Sequence, residues 1–180
     1  MVASGRSLVT RFDEAVDGWF DHLRGHPVPD RIFYAASELG DFSLLWLLLA
    51  SARSLRSERD QKAAVRVGIW SLAESVLVNG VVKSCFRRQR PVWDAVRPHH
   101  LRMPLTSSFP SGHATAAASN VVLLSEDDPM WPLYVVLGVV VATSRVYVKI
   151  HHASDVAAGL GVGAALGLLA KRRWPLPPKN

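Results

Sequence analysis

Five apolar segments, separated by polar and charged connections, constrain this chain more than any other feature of its sequence. A membrane-spanning helix needs about 20 mainly apolar residues, and the segments approach that length at residues 32–52, 63–82, 110–124, 130–143 and 156–170. Hydrophobic residues make up 49% of the 180 residues, which is too apolar for a typical soluble domain with a polar surface. The sequence therefore predicts an all-α, multi-pass membrane bundle of about five spanning helices.

The N-terminal segment, residues 1–30, predicts a helix of another kind. Between residues 7 and 25, apolar side chains recur at three- and four-residue steps with charged side chains between them, which is the pattern of an amphipathic helix. Such a helix could lie in the membrane interface or cap the bundle, and its mixed charge favours capping. The tail, residues 171–180, is basic and rich in proline. No domain boundary is visible, so residues 1–180 are predicted to form one membrane domain.

The net charge of +6 predicts anionic partners. Beside so much apolar sequence, the natural anions are phospholipid headgroups or a phosphorylated membrane lipid substrate. No nucleic-acid-binding signature is present, so nucleic acid is not an expected partner. The lipid bilayer is the other expected partner, and the sequence leaves the oligomeric state open.

Counting the apolar segments along the chain brings three polar stretches to one side of the membrane. These are the connection at residues 83–109, the start of the segment at residue 110, and residues 145–155. The Lys and Arg residues between Arg53 and Arg66 and those of the tail lie on the opposite side. Because cytoplasmic loops carry an excess of Lys and Arg, we expect the three polar stretches to face outward at the cell membrane.

The first of these stretches contains Lys83 and, after six residues, the pair Arg90-Pro91. Both cations can bind one phosphate, the arginine through a bidentate fork and the lysine as a point charge. The alternative is a basic flank of a membrane helix. In the segment before it, Glu74 falls in the middle of a predicted span, where helix pairing is favoured over a functional role.

The second stretch, Pro110-Ser111-Gly112-His113, has the features of a helix start. Proline fits the first turn of a helix, and glycine permits close approach of the backbone. The free amides of a helix N-terminus bind anions, and the Ser111 hydroxyl can extend that site. His113 could then act as a general acid that protonates a leaving alkoxide.

The third stretch, Ser144 to Asp155, combines a cation, a histidine and a carboxylate. His151 and Asp155 are four residues apart, so in a helix they would share one face and the carboxylate could orient the imidazole as a nucleophile. In the alternative interpretation Arg145 snorkels at a helix end, His151 and His152 are interfacial, and Asp155 caps a helix. The sequence assigns no role to His152.

Together the blocks K-x6-RP, PSGH and SR-x5-H-x3-D, in this order, resemble the type 2 phosphatidic acid phosphatase superfamily, which also includes vanadium haloperoxidases. The resemblance implies that His151 attacks phosphorus to form a phosphohistidine, with Asp155 holding its tautomer, while His113 protonates the leaving oxygen. It implies no metal and no other cofactor. The residues implied to bind the substrate phosphate are Lys83, Arg90, Ser111, Gly112 and Arg145.

The implied activity is that of an integral membrane lipid phosphatase, a hydrolase of phosphoric esters or anhydrides. Candidate substrates are polyprenyl phosphates or diphosphates, phosphatidate and phosphatidylglycerol phosphate, and family habit favours the polyprenyl compounds. Two alternatives belong to other classes. A vanadate-dependent peroxidase would share the anion site, but those relatives are soluble. A non-catalytic lipid-binding membrane protein predicts the loss of a motif residue, and none is missing.

Overall fold

The computed structural model describes residues 6–93 and 97–178, and within them every regular element is a helix and no strand occurs. The predicted all-helical class is therefore confirmed. The first five residues of the N-terminal segment, three residues of the polar connection and the last two of the tail lie outside the described residues. The α-helices are α1 Leu8–Asp21, α2 Pro27–Leu39, α3 Leu44–Ser54, α4 Glu58–Ser75, α5 Gly112–Leu124, α6 Trp131–Tyr147 and α7 Ala153–Arg173.

Helix α5 is the centre of the bundle and packs against α4, α6 and α7. Its residues are mostly small, and their burial extends around the helix. The glycines Gly159, Gly163 and Gly167 of α7 face it, and a Cβ atom on Gly159 would lie 2.6 Å from the Ser111 carbonyl oxygen. Glycines at four-residue spacing permit close packing of two helices, and here the partner helix is α5.

Of the five membrane spans predicted from apolar length, the structure supports two or three as candidates. Among the described residues, Glu58–Cys85 and Ala153–Arg173 are long and apolar enough to cross a membrane, and the bent pair formed by α2 and α3 gives a third if it counts as one span. Helix α5 has 13 residues, and at about 1.5 Å per residue it is shorter than a hydrocarbon core of about 30 Å. It is apolar because protein surrounds it.

The first predicted span, residues 32–52, is not one continuous helix. Helices α2 and α3 meet at an angle of 71°, and between them Phe42 and Ser43 adopt left-handed backbone conformations with φ values of 53° and 60°. The bend places Asp41 beside His113, with 3.2 Å between Oδ1 and Nε2. The prediction of one continuous helix failed because Asp41, a polar residue inside this apolar segment, belongs to a turn beside His113.

Helix α1 caps the end of the bundle near the start of α7 and contacts α6 and α7. Ser7 begins the helix by accepting a hydrogen bond from the Thr10 amide at 3.1 Å. Arg24, which follows the helix, donates hydrogen bonds to the Val146 and Tyr147 carbonyl oxygens at 2.9 and 2.8 Å. These contacts fix the N-terminal segment to the C-terminal end of α6.

At the other end of the bundle, several arginines pair with acidic residues. Arg53 is buried and its Nε lies 2.6 Å from Asp60 Oδ1 and 3.2 Å from Asp128 Oδ2. Buried Arg66 pairs with Glu126 at 2.5 Å. Part of the positive charge between Arg53 and Arg66 is therefore matched by carboxylates. The predicted orientation then depends mainly on the basic residues at the end of α7 and in the tail.

Candidate active site

The three sequence blocks meet at one end of the bundle, around a cavity of about 570 Å³. The first block follows from the end of the span Glu58–Cys85, the second lies at the start of α5, and the third runs from the end of α6 to the start of α7. The predicted site residues that line the cavity are Lys83, Gly112, His113, Arg145 and His151. Arg90, Ser111 and Asp155 contact this group from outside the cavity wall.

Arg145 lies in the last turn of α6 and is 1% exposed. Its Nη1 donates a hydrogen bond to the Ser37 hydroxyl. Its Nε and Nη2 are buried, and neither has a hydrogen-bond partner in the part of the chain that the structure describes. Because buried donors are normally paired, two unpaired guanidinium nitrogens beside a cavity are suited to bind an anion there.

His151 does not share a helical face with Asp155, contrary to the sequence-based prediction. Lys149, with a φ of 49°, turns the chain after α6, and α7 begins only at Ala153. His151 therefore precedes the helix, whereas Asp155 lies in its first turn and accepts a hydrogen bond from the His152 amide at 2.9 Å. The four-residue spacing reflects a helix N-terminus rather than a helix face.

Ser108 lies between the His151 imidazole and the Asp155 carboxylate. Its hydroxyl donates to Asp155 Oδ2 at 2.6 Å and lies 3.4 Å from His151 Nδ1, whereas Nδ1 and Oδ2 are 3.7 Å apart. On the other side of the ring, Nε2 lies 3.3 Å from Arg90 Nη1, which is a donor. A neutral imidazole with its proton on Nδ1 fits both contacts, and its Nε2 then carries the lone pair that a nucleophile needs.

His113 has a carboxylate neighbour that sequence reasoning did not find. Its Nε2 lies 3.1 Å from the Ser37 carbonyl oxygen and 3.2 Å from Asp41 Oδ1. Both neighbours are acceptors, so the proton of this nitrogen points toward them. Burial and the nearby Arg145 guanidinium lower the pKa of His113 to about 4, although Asp41 and the Ser37 carbonyl oppose them. The ring is therefore neutral near pH 7 in the free enzyme, and it must take up a proton before it can act as a general acid.

The predicted phosphate ligands differ in where their polar groups point. Lys83 is 5% exposed and lies in a 3₁₀ turn, Val82–Cys85, which follows the π-helical turn Val76–Val81 and ends the span Glu58–Cys85. Gly112 lines the cavity, and a Cβ atom there would lie 2.8 Å from Asn79 Oδ1. The Ser111 side chain instead caps α5 by accepting from the Ala114 amide at 3.4 Å.

The Arg90 guanidinium is held by backbone oxygens. Its Nη1 donates to the Ile150 carbonyl at 3.0 Å, and its Nη2 donates to those of Thr106 and Ser107 at 3.0 and 3.2 Å. These bonds order the polar connection around the site. They also keep a cation beside Nε2 of His151, the nitrogen that carries the lone pair.

Two residues left open by the sequence are also located. Glu74 is 3% exposed and lines the main cavity, and its Oε1 has no hydrogen-bond partner within the described residues. His152 is the N-cap of α7, and its Nε2 lies 3.3 Å from the Gln89 carbonyl oxygen. Across residues 6–93 and 97–178, no group of three or more His, Cys, Asp or Glu side chains is arranged to hold a metal ion.

A family model described as the PAP2 superfamily matches residues 64–176, which is more than half of the chain. The chain belongs to the PAP2 superfamily. The match includes the three blocks that carry the resemblance noted in the sequence, and that resemblance is confirmed.

Curated relatives of this PAP2 protein are phosphatases. Decaprenylphosphoryl-5-phosphoribose phosphatase from Mycobacterium tuberculosis is 32% identical over 134 residues, which cover 74% of this chain and 73% of the relative. The protein of the same name from Mycolicibacterium smegmatis is 33% identical over 126 residues, or 69% of this chain and 68% of the relative. An undecaprenyl-diphosphatase from Sulfolobus acidocaldarius is 32% identical over 117 residues, or 63% of this chain and 56% of the relative. The prediction of a lipid phosphate phosphatase is confirmed at the level of enzyme class.

Solved structures share the PAP2 fold. Aquifex aeolicus LpxE superposes with a TM-score of 0.66 at 22% identity, covering 96% of this chain and 99% of that one. A transmembrane phosphatidylglycerolphosphate phosphatase from Bacillus subtilis gives 0.65 at 24% identity, with coverages of 95% and 88%. A bacterial vanadium-dependent iodoperoxidase gives 0.62 at 16% identity, with coverages of 99% and 52%. At these identities the likeness concerns the fold, which phosphatases and peroxidases have in common.

The environment of His151 in this PAP2 protein predicts a pH-dependent stability. Burial lowers the pKa of His151 to about 3, nearby cations act in the same direction, and Asp155 opposes them. The unfolded chain binds this proton near pH 6.5, so the contribution is present above that pH and is lost as the pH falls toward 3. From pH 7 to pH 5 we expect a loss on the order of 2 kcal/mol. In thermal melts in detergent, a His151→Gln variant should lose less between these pH values than the wild type does. Equal losses of stability in the two proteins would contradict the attribution of this pH dependence to His151.

Proposed function

We propose that this protein is an integral membrane phosphatase that hydrolyses a phosphomonoester or diphosphate of a polyprenyl-type lipid through a phosphohistidine, without a metal ion. The observation that carries the proposal is the pair of buried, unpaired nitrogens of Arg145 in the cavity that His151 also lines. A phosphate oxygen accepts from such donors with charge-assisted hydrogen bonds. The histidine then lies beside the bound phosphate.

The first half of the reaction transfers the phosphoryl group to the enzyme. His151 Nε2 attacks phosphorus, and a bond forms between nitrogen and phosphorus. The bond that breaks leads to the lipid alcohol oxygen in a phosphomonoester, and to the bridging oxygen of the departing lipid monophosphate in a diphosphate. Arg145, Lys83 and the Gly112 amide stabilise the charge on the non-bridging oxygens, which is where most of the catalytic effect in phosphoryl transfer arises. The leaving oxygen takes a proton from His113, through the ring nitrogen that does not face Asp41. The negative charge of the bound phosphate, together with Asp41, favours the protonated ring that this step requires.

The second half returns the enzyme to its starting state. Water attacks the phosphohistidine, His113 accepts a proton from that water, and the bond between phosphorus and His151 Nε2 breaks to release inorganic phosphate. During both steps the proton on Nδ1 stays directed at Ser108 and Asp155, which keep the ring in one orientation. Fixed cations take the place that a metal ion has in other phosphoryl-transfer sites.

A lipid substrate fits the rim of the cavity. Phe42, Met103 and Leu105 belong to its lining and are 79%, 47% and 103% exposed, so the charged cavity has an apolar rim that is open to its surroundings. An acyl or prenyl chain can contact them while its phosphate enters the cavity. The polyprenyl class is supported by the names of the curated relatives, which act on decaprenyl and undecaprenyl compounds.

The proposed orientation places this site at the outer face of the membrane. Helix α7 begins at the site and ends at the opposite end of the bundle with Lys171, Arg172 and Arg173. Positive residues at a helix end favour the cytoplasmic side. A protease-cleavable tag placed after residue 180 should be protected from added protease in intact cells. Cleavage of the tag in intact cells would show the opposite orientation.

The function is tested by the release of inorganic phosphate from purified protein in detergent with EDTA. The substrates are undecaprenyl phosphate, undecaprenyl diphosphate, phosphatidate and phosphatidylglycerol phosphate. We expect release to be fastest with one of the undecaprenyl compounds. Replacing Arg145 with glutamine should reduce kcat/KM by about 100- to 1000-fold, because an oriented charge donor to the transferred group is lost.

The matched control is Arg172→Gln, which removes an exposed arginine at the far end of α7 and should leave kcat/KM within about twofold of the wild type. Absence of phosphate release from every substrate would contradict the proposal. Oxidation of iodide by hydrogen peroxide in vanadate-loaded protein, without phosphate release, would assign peroxidase chemistry instead.

A further inference from the structure

Helix α1 reaches the active-site end of the bundle through one buried carboxylate. Asp13 is 7% exposed, although most of its neighbours on the helix are exposed. It accepts hydrogen bonds from the Ser154 amide at 2.7 Å and from the Ser154 hydroxyl at 2.9 Å. Its Oδ2 also lies 2.6 Å from Arg88 Nη2. Asp13 is therefore not a solvated surface charge. Its three contacts join α1 to Ser154 and Arg88.

Arg88 continues this connection to Asp155. Its Nη1 donates to Asp155 Oδ1 at 2.6 Å and to the Ser154 hydroxyl at 2.8 Å. The guanidinium therefore lies between two carboxylates, one on α1 and one on α7. Arg88 is outside the lining of the main cavity and lines a smaller one, of about 320 Å³, on the α1 side of His151. It does not face the position proposed for the phosphate.

The two oxygens of Asp155 are thereby given different partners. Arg88 occupies Oδ1, while Oδ2 accepts from the Ser108 hydroxyl and the His152 amide and lies nearest to His151 Nδ1. A carboxylate that is held on one oxygen by a charge-assisted bond cannot rotate freely. The other oxygen then keeps a fixed direction toward the imidazole.

We infer that Arg88, held by Asp13 of the N-terminal helix, is a positioning residue that fixes Asp155 for its action on His151. The inference rests on the proposed roles of His151 and Asp155, and it gives α1 a part in catalysis. Arg88 lies within the K-x6-RP block but is not one of its specified residues. Small displacements of catalytic groups cost large factors in rate, so a residue that acts in this way should affect kcat and leave KM nearly unchanged.

The test compares kcat and KM of Arg88→Gln, Arg88→Lys and Asp13→Asn with the wild type. We expect kcat to fall by about 10- to 100-fold in Arg88→Gln while KM stays within about threefold. Arg88→Lys keeps the charge without the fork and should lose less. The control substitutions are Arg87→Gln and Glu14→Gln, the exposed neighbours in sequence, which should leave kcat within about twofold of the wild type.

A double-mutant cycle separates positioning from general support of the fold. In an Asp155→Asn background, Arg88→Gln should reduce kcat by less than about threefold, because residues that act as a unit are not additive. An equal reduction in both backgrounds, a change confined to KM, or an unchanged kcat in Arg88→Gln would overturn the inference while the proposed function stands. A wild-type protein that releases no phosphate would overturn both. If Arg88→Gln does not fold in detergent, the same cycle with Arg88→Lys decides.

Discussion

Replacing His151 with alanine is expected to reduce phosphate release by about four orders of magnitude or more, because the reaction proposed here has no other nucleophile. The wild-type protein should also form a phosphoenzyme when it is quenched during turnover with a lipid substrate labelled in its phosphate. The label should be lost in acid and kept in alkali, as expected for a bond between phosphorus and an imidazole nitrogen. His151→Ala should carry no label.

His152 provides the control for this experiment. It is the adjacent residue in the sequence and also carries an imidazole, but it caps the N-terminus of α7 and is not part of the main cavity lining. His152→Ala should keep kcat within about tenfold of the wild type and should still form the phosphoenzyme. An active, labelled His151→Ala protein would show that another residue is the nucleophile, and an unlabelled His152→Ala protein would point to the neighbouring histidine.

The parts of the site that the sequence predicts are those in which the chemistry is local. Ser111 caps a helix wherever that helix lies, and the amides and the histidine of the first turn follow it directly in the chain. Arg145, in the last turn of α6, and His151, after α6, are likewise close in sequence. Taken alone, the first and third blocks kept a second interpretation. The alternation of apolar segments favoured the catalytic one, because it brought the three blocks to one end of the bundle.

The supporting residues could not be found in this way, because each acts on a partner that is distant in the sequence. Ser108 reaches Asp155 across 47 residues, and Arg88 does so across 67. Asp41 pairs with His113 from an apolar segment, where a carboxylate is interpreted as a defect in a span. No local spacing signals such pairs, and only the fold determines them.

Apolar length does not by itself distinguish a membrane span from a helix buried in protein, for a related reason. A helix that protein surrounds on all sides is as apolar as one that lipid surrounds, and α5 belongs to the first group. The four-residue spacing of His151 and Asp155 is ambiguous in the same sense. Two residues with this spacing can be neighbours on one face of a helix, or the first can end a loop while the second lies in the first turn of the next helix. The turn at Lys149 contains neither proline nor glycine, so the sequence carries no signal to distinguish the two.

Replacing Gly163 with valine should have the largest effect on folding. A Cβ atom at this position would contact the backbone carbonyl of Thr115 and lie 2.9 Å from its Cα. Backbone atoms cannot move aside as a flexible side chain does, so α5 and α7 must separate. Overpacking of this kind costs about 1–3 kcal/mol or more. We expect Gly163→Val to yield little folded protein in detergent, and Gly163→Ala to melt several degrees below the wild type.

Gly161 is the matched control, because it lies on the same helix and a Cβ atom there would meet nothing within 4 Å. Alanine forms helix better than glycine by up to about 1 kcal/mol, so Gly161→Ala should melt at or above the wild-type temperature. The two alanine variants are thus expected to change stability in opposite directions. The residual activity of folded Gly163→Ala should also be reduced, since Thr115 lies two residues after His113 and a shift of α5 moves that histidine away from Asp41. Equal melting temperatures and activities for the two variants would mean that the contact between α5 and α7 is looser than the structure describes.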